Sequence, residues 1–302
     1  MLYPNFLIIG MERSGTLWTS ATLNEHPDIA SFPNLPFKAD GDERRVGEMH
    51  FFNTLASLES NTEGKFTRPL EDYLTKYGKV FADLVPLART LPKGEFYQVM
   101  VRRYSDFCDK QRGRKKIVGE STPAYVFHLD FIDSFYPNIK KICSTRDPKD
   151  KITSWHFSLL GRGRKTEREV TEAFAMEYLQ SRIVKEYQAL LLYDKPVYCI
   201  TYERMSREPH QTVRGLLEYL EVEATDETID SMVKNASFEE MTRRHSKGLD
   251  TRKSGEENRL DSLRKGIAGD WKNYVNEDLA EKIDTIAMPF REKVFEKYDV
   301  EI

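Results

Sequence analysis

The chain has few cysteines and no strong excess of one charge. These features exclude a disulfide-rich protein and a protein with a broad nucleic-acid-binding surface. Three of its 302 residues are cysteine, and their spacing matches neither a disulfide framework nor a metal-binding motif. Cys143 and Cys199 lie inside apolar runs typical of strands, which predicts buried free thiols. A net charge of −3 excludes a broad surface for nucleic acid, so an anion site must be a local cluster of arginine and lysine.

Long hydrophobic runs are also missing, and we expect no leader segment. No apolar run approaches the length of a membrane span, and the residues after Met1 pass into a strand pattern without a basic-then-apolar leader. We therefore predict a cytoplasmic protein without a membrane span. Histidine, cysteine and acidic residues do not cluster at the spacing of metal ligands, so we expect no metal cofactor.

Apolar runs alternate with helical patterns along the chain. The runs typical of buried strands are Phe6–Ile9, Ile117–Val118, Ile139–Cys143 and Val197–Thr201. The segments with helical periodicity are Thr16–Glu25, Val170–Tyr193 and Thr212–Leu220. This alternation predicts a three-layer α/β fold with a mostly parallel central sheet and helices on both faces. The length and the lack of repeats predict one domain over residues 1–302, with mobile loops near 160–167 and 243–264.

The first predicted strand leads into a glycine turn. Residues 6–18 read Phe-Leu-Ile-Ile-Gly-Met-Glu-Arg-Ser-Gly-Thr-Leu-Trp, so Gly10 and Gly15 have the spacing of a P-loop. A strand, a tight turn and a helix N-terminus form an anion cradle, because backbone N–H groups and the helix dipole point at one spot. The Lys-Ser/Thr pair of nucleotide triphosphatases does not follow Gly15, since Thr16-Leu17 stands there. The cation of this loop is Arg13 instead.

Four segments in order resemble motifs of the sulfotransferases that use 3′-phosphoadenosine 5′-phosphosulfate (PAPS). The glycine turn with Trp18 resembles their 5′-phosphosulfate loop. Residues 141–154, which contain Arg146 and Ser154, resemble their 3′-phosphate motif. Residues 202–205 (Tyr-Glu-Arg-Met) are similar to a Tyr-Glu-Asp-Leu segment. Residues 263–274 (Leu-Arg-Lys-Gly-Ile-Ala-Gly-Asp-Trp-Lys-Asn-Tyr) are similar to an Arg-Lys-Gly-x-x-Gly-Asp-Trp-Lys loop.

The resemblance implies a P-loop-kinase-like sulfotransferase fold, PAPS as co-substrate and adenosine 3′,5′-bisphosphate (PAP) as product. The residues that it assigns to the donor are Arg13, Ser14, Gly15, Thr16, Leu17, Trp18, Arg146, Ser154, Tyr202, Ser237, Phe238, Arg264, Lys265 and Gly266. Arg13 would stabilise charge on the departing oxygen, and Trp18 would stack on adenine. Ser237 and Phe238 follow Ala236, which replaces the threonine usual in the family.

A further segment resembles the one that carries the base in glycan-modifying sulfotransferases. Residues 47–53 read Gly-Glu-Met-His-Phe-Phe-Asn, and the relatives have Lys-Glu-x-x-Phe-Phe, with the glutamate as base. The resemblance implies Glu48 as the general base, with His50 as the alternative. If the segment is extended, both side chains lie on one face, because side chains alternate along a strand. Ser121 stands where many relatives have a lysine, so no second catalytic cation is assigned there.

Two other functions stay open at this point, and so does the acceptor. A P-loop nucleotide kinase would share the topology, although the loop lysine and an evident Mg²⁺-binding partner are missing. A nucleotide-binding module without catalysis would account for Ser121. The acceptor hydroxyl or amine would belong to a small molecule, lipid, glycan or polyketide-like intermediate. The basic run Arg162–Lys165 would attract an acidic acceptor. The oligomeric state stays open too.

Overall fold

A parallel five-stranded sheet forms the centre of the computed structural model. The structure describes residues 2–32, 48–59, 81, 84–88, 90–161, 163, 169–246, 248–258 and 263–301. The strands are β1 (Phe6–Gly10), β2 (Ile29–Phe32), β3 (Ile117–Ser121), β4 (Lys140–Thr145) and β5 (Tyr198–Thr201). Their order is β2-β3-β1-β4-β5, and every neighbouring pair is parallel. The predicted α/β class with a mostly parallel sheet is confirmed.

Helices flank this sheet. The longer ones are α1 (Thr16–Asn24), α2 (Phe51–Glu59), α4 (Lys93–Arg112), α6 (Pro148–Gly161), α8 (Val184–Leu192), α10 (Pro209–Leu220), α11 (Asp226–Asn235), α12 (Phe238–His245) and α13 (Glu277–Lys297). The shorter ones are α3 (Val85–Ala88), α5 (Leu129–Asp133), α7 (Glu172–Tyr178) and α9 (Tyr202–Arg207). A π-helical turn, Leu179–Ile183, joins α7 to α8, and 3₁₀ turns cover Pro123–His128 and Asp270–Asn273.

The two faces of the sheet bury different hydrophobic clusters. Along β1, Leu7 and Ile9 belong to one cluster, with residues of α4, α8 and α13, whereas Phe6 and Ile8 belong to the other, with residues of α10 and α11. All four side chains are fully buried. This alternation follows from the period of two along a strand, and it explains why β1 is apolar without interruption. The sheet is therefore the middle layer of three.

The predicted strands are confirmed within a few residues at their ends, but β2 was not predicted. It has only four residues, and one of them is Ser31, so the segment lacks the apolar run that marked the other strands. The predicted helix over Val170–Tyr193 is in fact α7, the π-helical turn and α8 in succession. Burial pattern alone does not separate these three, because each keeps an apolar face toward the core.

The predicted loop boundaries need correction. The loop given as 243–264 starts later, because α12 continues to His245 and carries Arg243 and Arg244 in its last turn. Basic side chains are favourable there, where the helix dipole is negative. Helix α6 also continues to Gly161, inside the loop predicted near 160–167. Apart from residues 160, 161 and 163, that loop and the run Arg162–Lys165 lie outside the described residues.

The central strands end level with one another. Gly10 in β1 is paired with Ser144 in β4, and Thr145 in β4 is paired with Thr201 in β5. The residues that follow these ends therefore meet at the carboxyl edge of the sheet, where ligands of parallel α/β folds bind.

Candidate active site

The turn after β1 is held tightly by its neighbours. A Cβ atom at Gly10 would lie 2.3 Å from the carbonyl oxygen of Ser144, and one at Gly15 would lie 2.9 Å from the Tyr202 ring. Gly15 also has a φ of +95° and Arg13 a φ of +73°, in the left-handed region that favours glycine. The turn therefore requires glycine at both ends of its P-loop spacing, and it presents Arg13 from a strained position.

The same turn carries polar groups without protein partners. Helix α1 starts after Gly15 with no side-chain cap on its first N–H groups. The Ser14 hydroxyl is almost fully buried and has no hydrogen-bond partner among the described residues. A helix N-terminus with unsatisfied donors is a ready anion site. These groups fit a phosphate or sulfate oxygen.

One cavity of about 650 Å³ lies at this edge of the sheet. The sequence-predicted residues in its lining are Arg13, Gly15, Thr16, Leu17, Trp18, Glu48, Arg146, Ser154, Tyr202, Ser237, Phe238, Arg264, Lys265 and Gly266. Ser14 and His50 are not part of this lining. The structure thus brings together segments that lie more than 200 residues apart in the chain.

Arg13 connects the two predicted phosphate motifs. Its Nε–H group donates to the Ser154 hydroxyl over 2.9 Å, from the turn after β1 to helix α6. Ser154 is almost fully buried. The guanidinium is therefore oriented toward α6, with its side chain in the cavity wall.

Arg146 lies in the cavity wall and belongs to a network that binds the loop after residue 263. Its guanidinium donates to the carbonyl of Ile267 over 2.7 Å and lies 4.0 Å from the centre of the Tyr202 ring. The Arg146 Nε atom is buried without a hydrogen-bond partner among the described residues. Asp150, 3.4 Å from Arg146, accepts the backbone N–H groups of Gly269 and Trp271. This arrangement leaves a buried donor of Arg146 for a further acceptor.

Arg264 and Lys265 are held by acidic side chains. The Arg264 guanidinium donates to Asp270 and Glu257, and the Lys265 ammonium lies 2.7 Å from Asp270. Burial alone would lower the pKa of Arg264, but the Asp270 and Glu257 carboxylates outweigh it and raise that pKa. Burial would likewise raise the pKa of Asp270, and the neighbouring Lys265 and Arg264 lower it. Both cations are therefore charged and preorganised at the cavity.

Aromatic side chains form the wall between these cations. The Trp18 indole donates to the carbonyl of Ala236 over 2.9 Å and meets Tyr202 edge to face at 5.2 Å. Phe238 packs on Gly266, where a Cβ atom would lie 2.4 Å from the ring. Ser237 caps α12 by accepting the Glu240 N–H group, so its hydroxyl has a structural role as well as a place in the wall. The wall therefore offers aromatic rings to the cavity.

The predicted base segment is not a strand. His50 has a φ of +51° and precedes α2, accepting the Thr54 N–H group with its carbonyl oxygen. The segment is therefore not extended at His50, and the predicted alternation of side chains along a strand does not apply. The two side chains nevertheless meet, with 3.2 Å between Nε2 of His50 and Oε2 of Glu48, and their exposed fractions are 43% and 42%. Glu48 lines the cavity, whereas His50 supports it from outside.

A buried carboxylate beneath this segment was not predicted. Glu120, at the end of β3, accepts the hydroxyls of Tyr104 and Thr122, and Tyr125 also bonds to it. Burial raises the pKa of Glu120, against the effect of these hydroxyls. The Tyr125 hydroxyl in turn accepts the N–H group of Phe51, the first residue of α2. Glu120 thus holds the start of α2, next to Glu48. The predicted strand run Ile117–Val118 ended before Glu120, so the sequence did not mark this carboxylate as buried.

A second buried charge lies under the phosphate loop. Lys151 in α6 donates to Glu186 in α8, and both side chains are fully buried. The Glu186 Oε1 atom lies 3.6 Å from the position of a Cβ atom at Gly10. Burial raises the pKa of Glu186, and the carboxylate of Glu186 raises that of Lys151 against its burial. No local pattern marks this pair, because its members lie on different helices.

Neither a helix suited to cross a membrane nor a cluster of metal-ligating side chains occurs among the residues that the structure describes. Across these residues, no helix combines the length and the apolar character that a membrane crossing requires. Within the same ranges, no group of three or more His, Cys, Asp and Glu side chains is arranged to hold a metal ion.

The fold and the cavity define a P-loop-like α/β protein with arginines at a phosphate-type loop. The family model described as "Sulfotransferase domain" matches residues 3–297, and the chain belongs to this family of PAPS-dependent sulfotransferases. Sulfotransferase 1E1 of Bos taurus is 28% identical over 180 residues, which are 56% of this chain and 59% of the relative. The alignments thus span less than two thirds of the first curated relatives.

Solved structures agree on the fold. A sulfotransferase of Alicyclobacillus acidocaldarius has a TM-score of 0.54 at 19% identity, over 100% of this chain and 98% of that one. The mouse sulfotransferase SULT7A1, solved in complex with PAP, has a TM-score of 0.52 at 17% identity, over 97% of this chain and 83% of that one. The predicted P-loop-like sulfotransferase fold is confirmed.

Proposed function

We propose that this protein transfers the sulfuryl group of PAPS to the hydroxyl or amine of an acceptor and releases PAP. The observation that carries the proposal is the meeting of Arg13, Arg146 and the Arg264-Lys265 pair around one cavity. PAPS has anionic groups at both ends of an adenosine, and this cavity has cations at separate places with aromatic rings between them. Membership of the sulfotransferase family favours this function over a nucleotide kinase.

The donor fits the polar and cationic groups at the cavity, some of which lack protein partners. The N–H groups at the start of α1, with the Ser14 and Thr16 hydroxyls, would bind the 5′-phosphosulfate. The free Nε–H of Arg146, with Ser154, Arg264, Lys265 and the Gly266 backbone, would bind the 3′-phosphate. Trp18, Tyr202, Ser237 and Phe238 would surround the adenosine, and Leu17 completes the turn.

The chain's own residues divide the chemistry between a cation and a base. In-line transfer forms a bond from the acceptor atom to sulfur and breaks the bond from sulfur to the bridging phosphate oxygen. Arg13, held by Ser154, stabilises the negative charge on that oxygen. The Glu48 carboxylate accepts the acceptor proton, and His50, 3.2 Å away, orients it. His50 as the base itself is the alternative, and its position outside the cavity lining favours Glu48.

The acceptor is a small molecule in this proposal. Glu48 marks the end of the cavity at which it would enter, and Glu12 and Pro123 also line the cavity. A lipid, glycan or polyketide-like compound with a free hydroxyl or amine meets the same requirement. The proposal needs no metal, because Arg13 supplies the positive charge.

Binding and transfer are tested separately. Isothermal titration with PAP should give one saturable site, and Arg146→Ala and Arg264→Ala should each weaken it. Incubation with sulfur-labelled PAPS and an acceptor panel should give labelled product that Glu48→Gln strongly reduces. Absence of PAP affinity would refute the proposal. PAP binding without any labelled product would instead leave a nucleotide-binding module, and magnesium-dependent ATP turnover would indicate a kinase.

A further inference from the structure

One segment outside the recognised motifs is bonded along its length to the Arg264-Lys265 pair. In residues 250–258, the Gly255 N–H group donates to the carbonyl of Lys265 over 2.8 Å. The Asn258 N–H group donates to the carbonyl of Arg264 over 2.9 Å. These backbone bonds join two stretches of irregular chain and satisfy polar groups of both. We call residues 250–258 the clamp segment.

Arg252 is the centre of the clamp segment. Only 6% of this arginine is exposed. Its Nε–H group donates to Asp250 over 2.9 Å, and a terminal N–H group donates to the carbonyl of Arg264 over 2.9 Å. Asp250 is fixed in turn by the Asn258 amide at 3.0 Å, and the Arg252 backbone N–H group is bonded to Thr242 of α12 at 3.0 Å.

The same guanidinium also faces the aromatic wall. Its central carbon lies 5.5 Å from the centre of the Phe238 ring, within the range of a cation–π contact. Gly266 packs on that ring as well. The face of the Arg252 guanidinium therefore contacts Phe238, which is predicted to lie beside the adenosine. Its edge contacts the backbone of Arg264, which is predicted to bind the 3′-phosphate.

We propose that Arg252 is a positioning residue that sets the selectivity of the cavity for a nucleotide carrying a 3′-phosphate. It does not belong to the described lining, so it acts through Arg264 and Phe238 rather than by touching the nucleotide. The inference rests on the proposed function, because it assumes that Arg264 and Lys265 receive the 3′-phosphate. It adds a residue that no recognised motif contains.

The geometry requires an arginine. A planar fork can donate to two acceptors in different directions while its face stays on an aromatic ring. A lysine has one point charge and would keep at most part of this set. The carbonyl of Arg264 keeps the Asn258 N–H group when Arg252 is replaced, so the loop should loosen rather than unfold.

The test compares two ligands that differ only in the 3′-phosphate, PAP and adenosine 5′-monophosphate. Arg252→Met keeps apolar bulk beside Phe238 and removes the charge and the fork. We expect it to weaken PAP binding by about tenfold in isothermal titration, the effect of losing the charge-assisted hydrogen bond to the carbonyl of Arg264. Binding of the monophosphate should change less than about twofold. Arg252→Lys should show the same pattern, with a smaller loss.

The control is Arg243→Met. Arg243 lies on α12 close to the clamp segment, but it is half exposed and its ion pair with Glu240 lies within its own helix. This variant should bind both ligands as the wild type does. Circular dichroism melting curves of all variants check that they are folded, and Arg252→Lys serves as the second variant should Arg252→Met melt below the titration temperature.

The outcomes separate the two proposals. Equal weakening of PAP and the monophosphate in both Arg252 variants, or unchanged PAP binding, would overturn the inference while the proposed function stands. A wild-type protein that binds PAP no more tightly than the monophosphate would refute 3′-phosphate recognition, and the role of Arg252 with it. Selective loss of PAP affinity in both variants supports the inference.

Discussion

The buried pair of Lys151 and Glu186 gives a stringent test of how the fold supports the phosphate loop. Both side chains are fully buried, and they join α6 to α8 beneath Gly10. Glu186→Gln removes the counter-charge and keeps the shape. The Lys151 ammonium would then be buried without compensation, which is among the most costly changes a core can undergo.

The size of the effect follows from two limits. Removing one partner of a buried ion pair costs about 3–5 kcal/mol. Lys151 can avoid this cost by losing its proton, and removing the proton of a lysine with the ordinary pKa of 10.5 at pH 7 costs about 5 kcal/mol. The two limits agree, so we expect Glu186→Gln to lower the free energy of unfolding by about 3–5 kcal/mol. The whole free energy of unfolding of a domain is about 5–15 kcal/mol, so this loss would be a large share of it.

The assay is urea denaturation at pH 7, followed by circular dichroism. The double variant Lys151→Met with Glu186→Met should recover most of the loss, because an apolar pair of similar volume leaves no buried charge. Glu172→Gln, which breaks the exposed pair with Lys282, is the matched control and should change stability little. A Glu186→Gln protein as stable as the wild type, or a double variant no better than the single one, would refute this reasoning.

Three further predictions concern the cavity. Glu48→Gln should reduce the rate of label transfer about 10²–10⁴-fold in steady-state assays and leave the Kd for PAP unchanged; equal loss of both would argue against a base. The pKa of Asp270 is lowered in the folded state by Lys265 and Arg264 despite its burial, so its contribution to stability is present above pH 3.8 and lost as the pH falls through the lowered value. Thermal melting from pH 7 down to a pH below the lowered pKa should show this loss in the wild type and less of it in Asp270→Asn. Gly266→Ala should weaken PAP binding about tenfold, because the φ of Gly266 is +67° and the new Cβ atom would strike Phe238. A variant that binds PAP as tightly as the wild type would contradict the packing described.

Much of the fold and of the cavity could be predicted because the signals are local. Uninterrupted apolar runs marked the central strands, and residues directly after strand ends, such as Arg146 and Tyr202, had to lie at one edge of a parallel sheet. The glycines of the phosphate loop were equally clear. The short strand β2 and the π-helical turn gave no such signal.

The partners of the predicted residues could not be predicted, because they are distant in sequence. Asp150 binds the N–H group of Gly269 across 119 positions, and Tyr125 binds that of Phe51 across 74. The conformation of His50 was missed for a related reason. The positive φ of His50 occurs directly before the start of α2. The residues Glu-Met-His-Phe-Phe carry no sequence signal for that helix start.

The central claim is that one nucleotide spans the cavity from the turn after β1 to the Arg264-Lys265 pair. A crystal structure of the protein with PAP tests it most directly. We expect the 5′-phosphate against the N-terminus of α1 and the 3′-phosphate within hydrogen-bonding distance of Arg146 and Arg264. PAP bound elsewhere, or with its 3′-phosphate facing solvent, would contradict it.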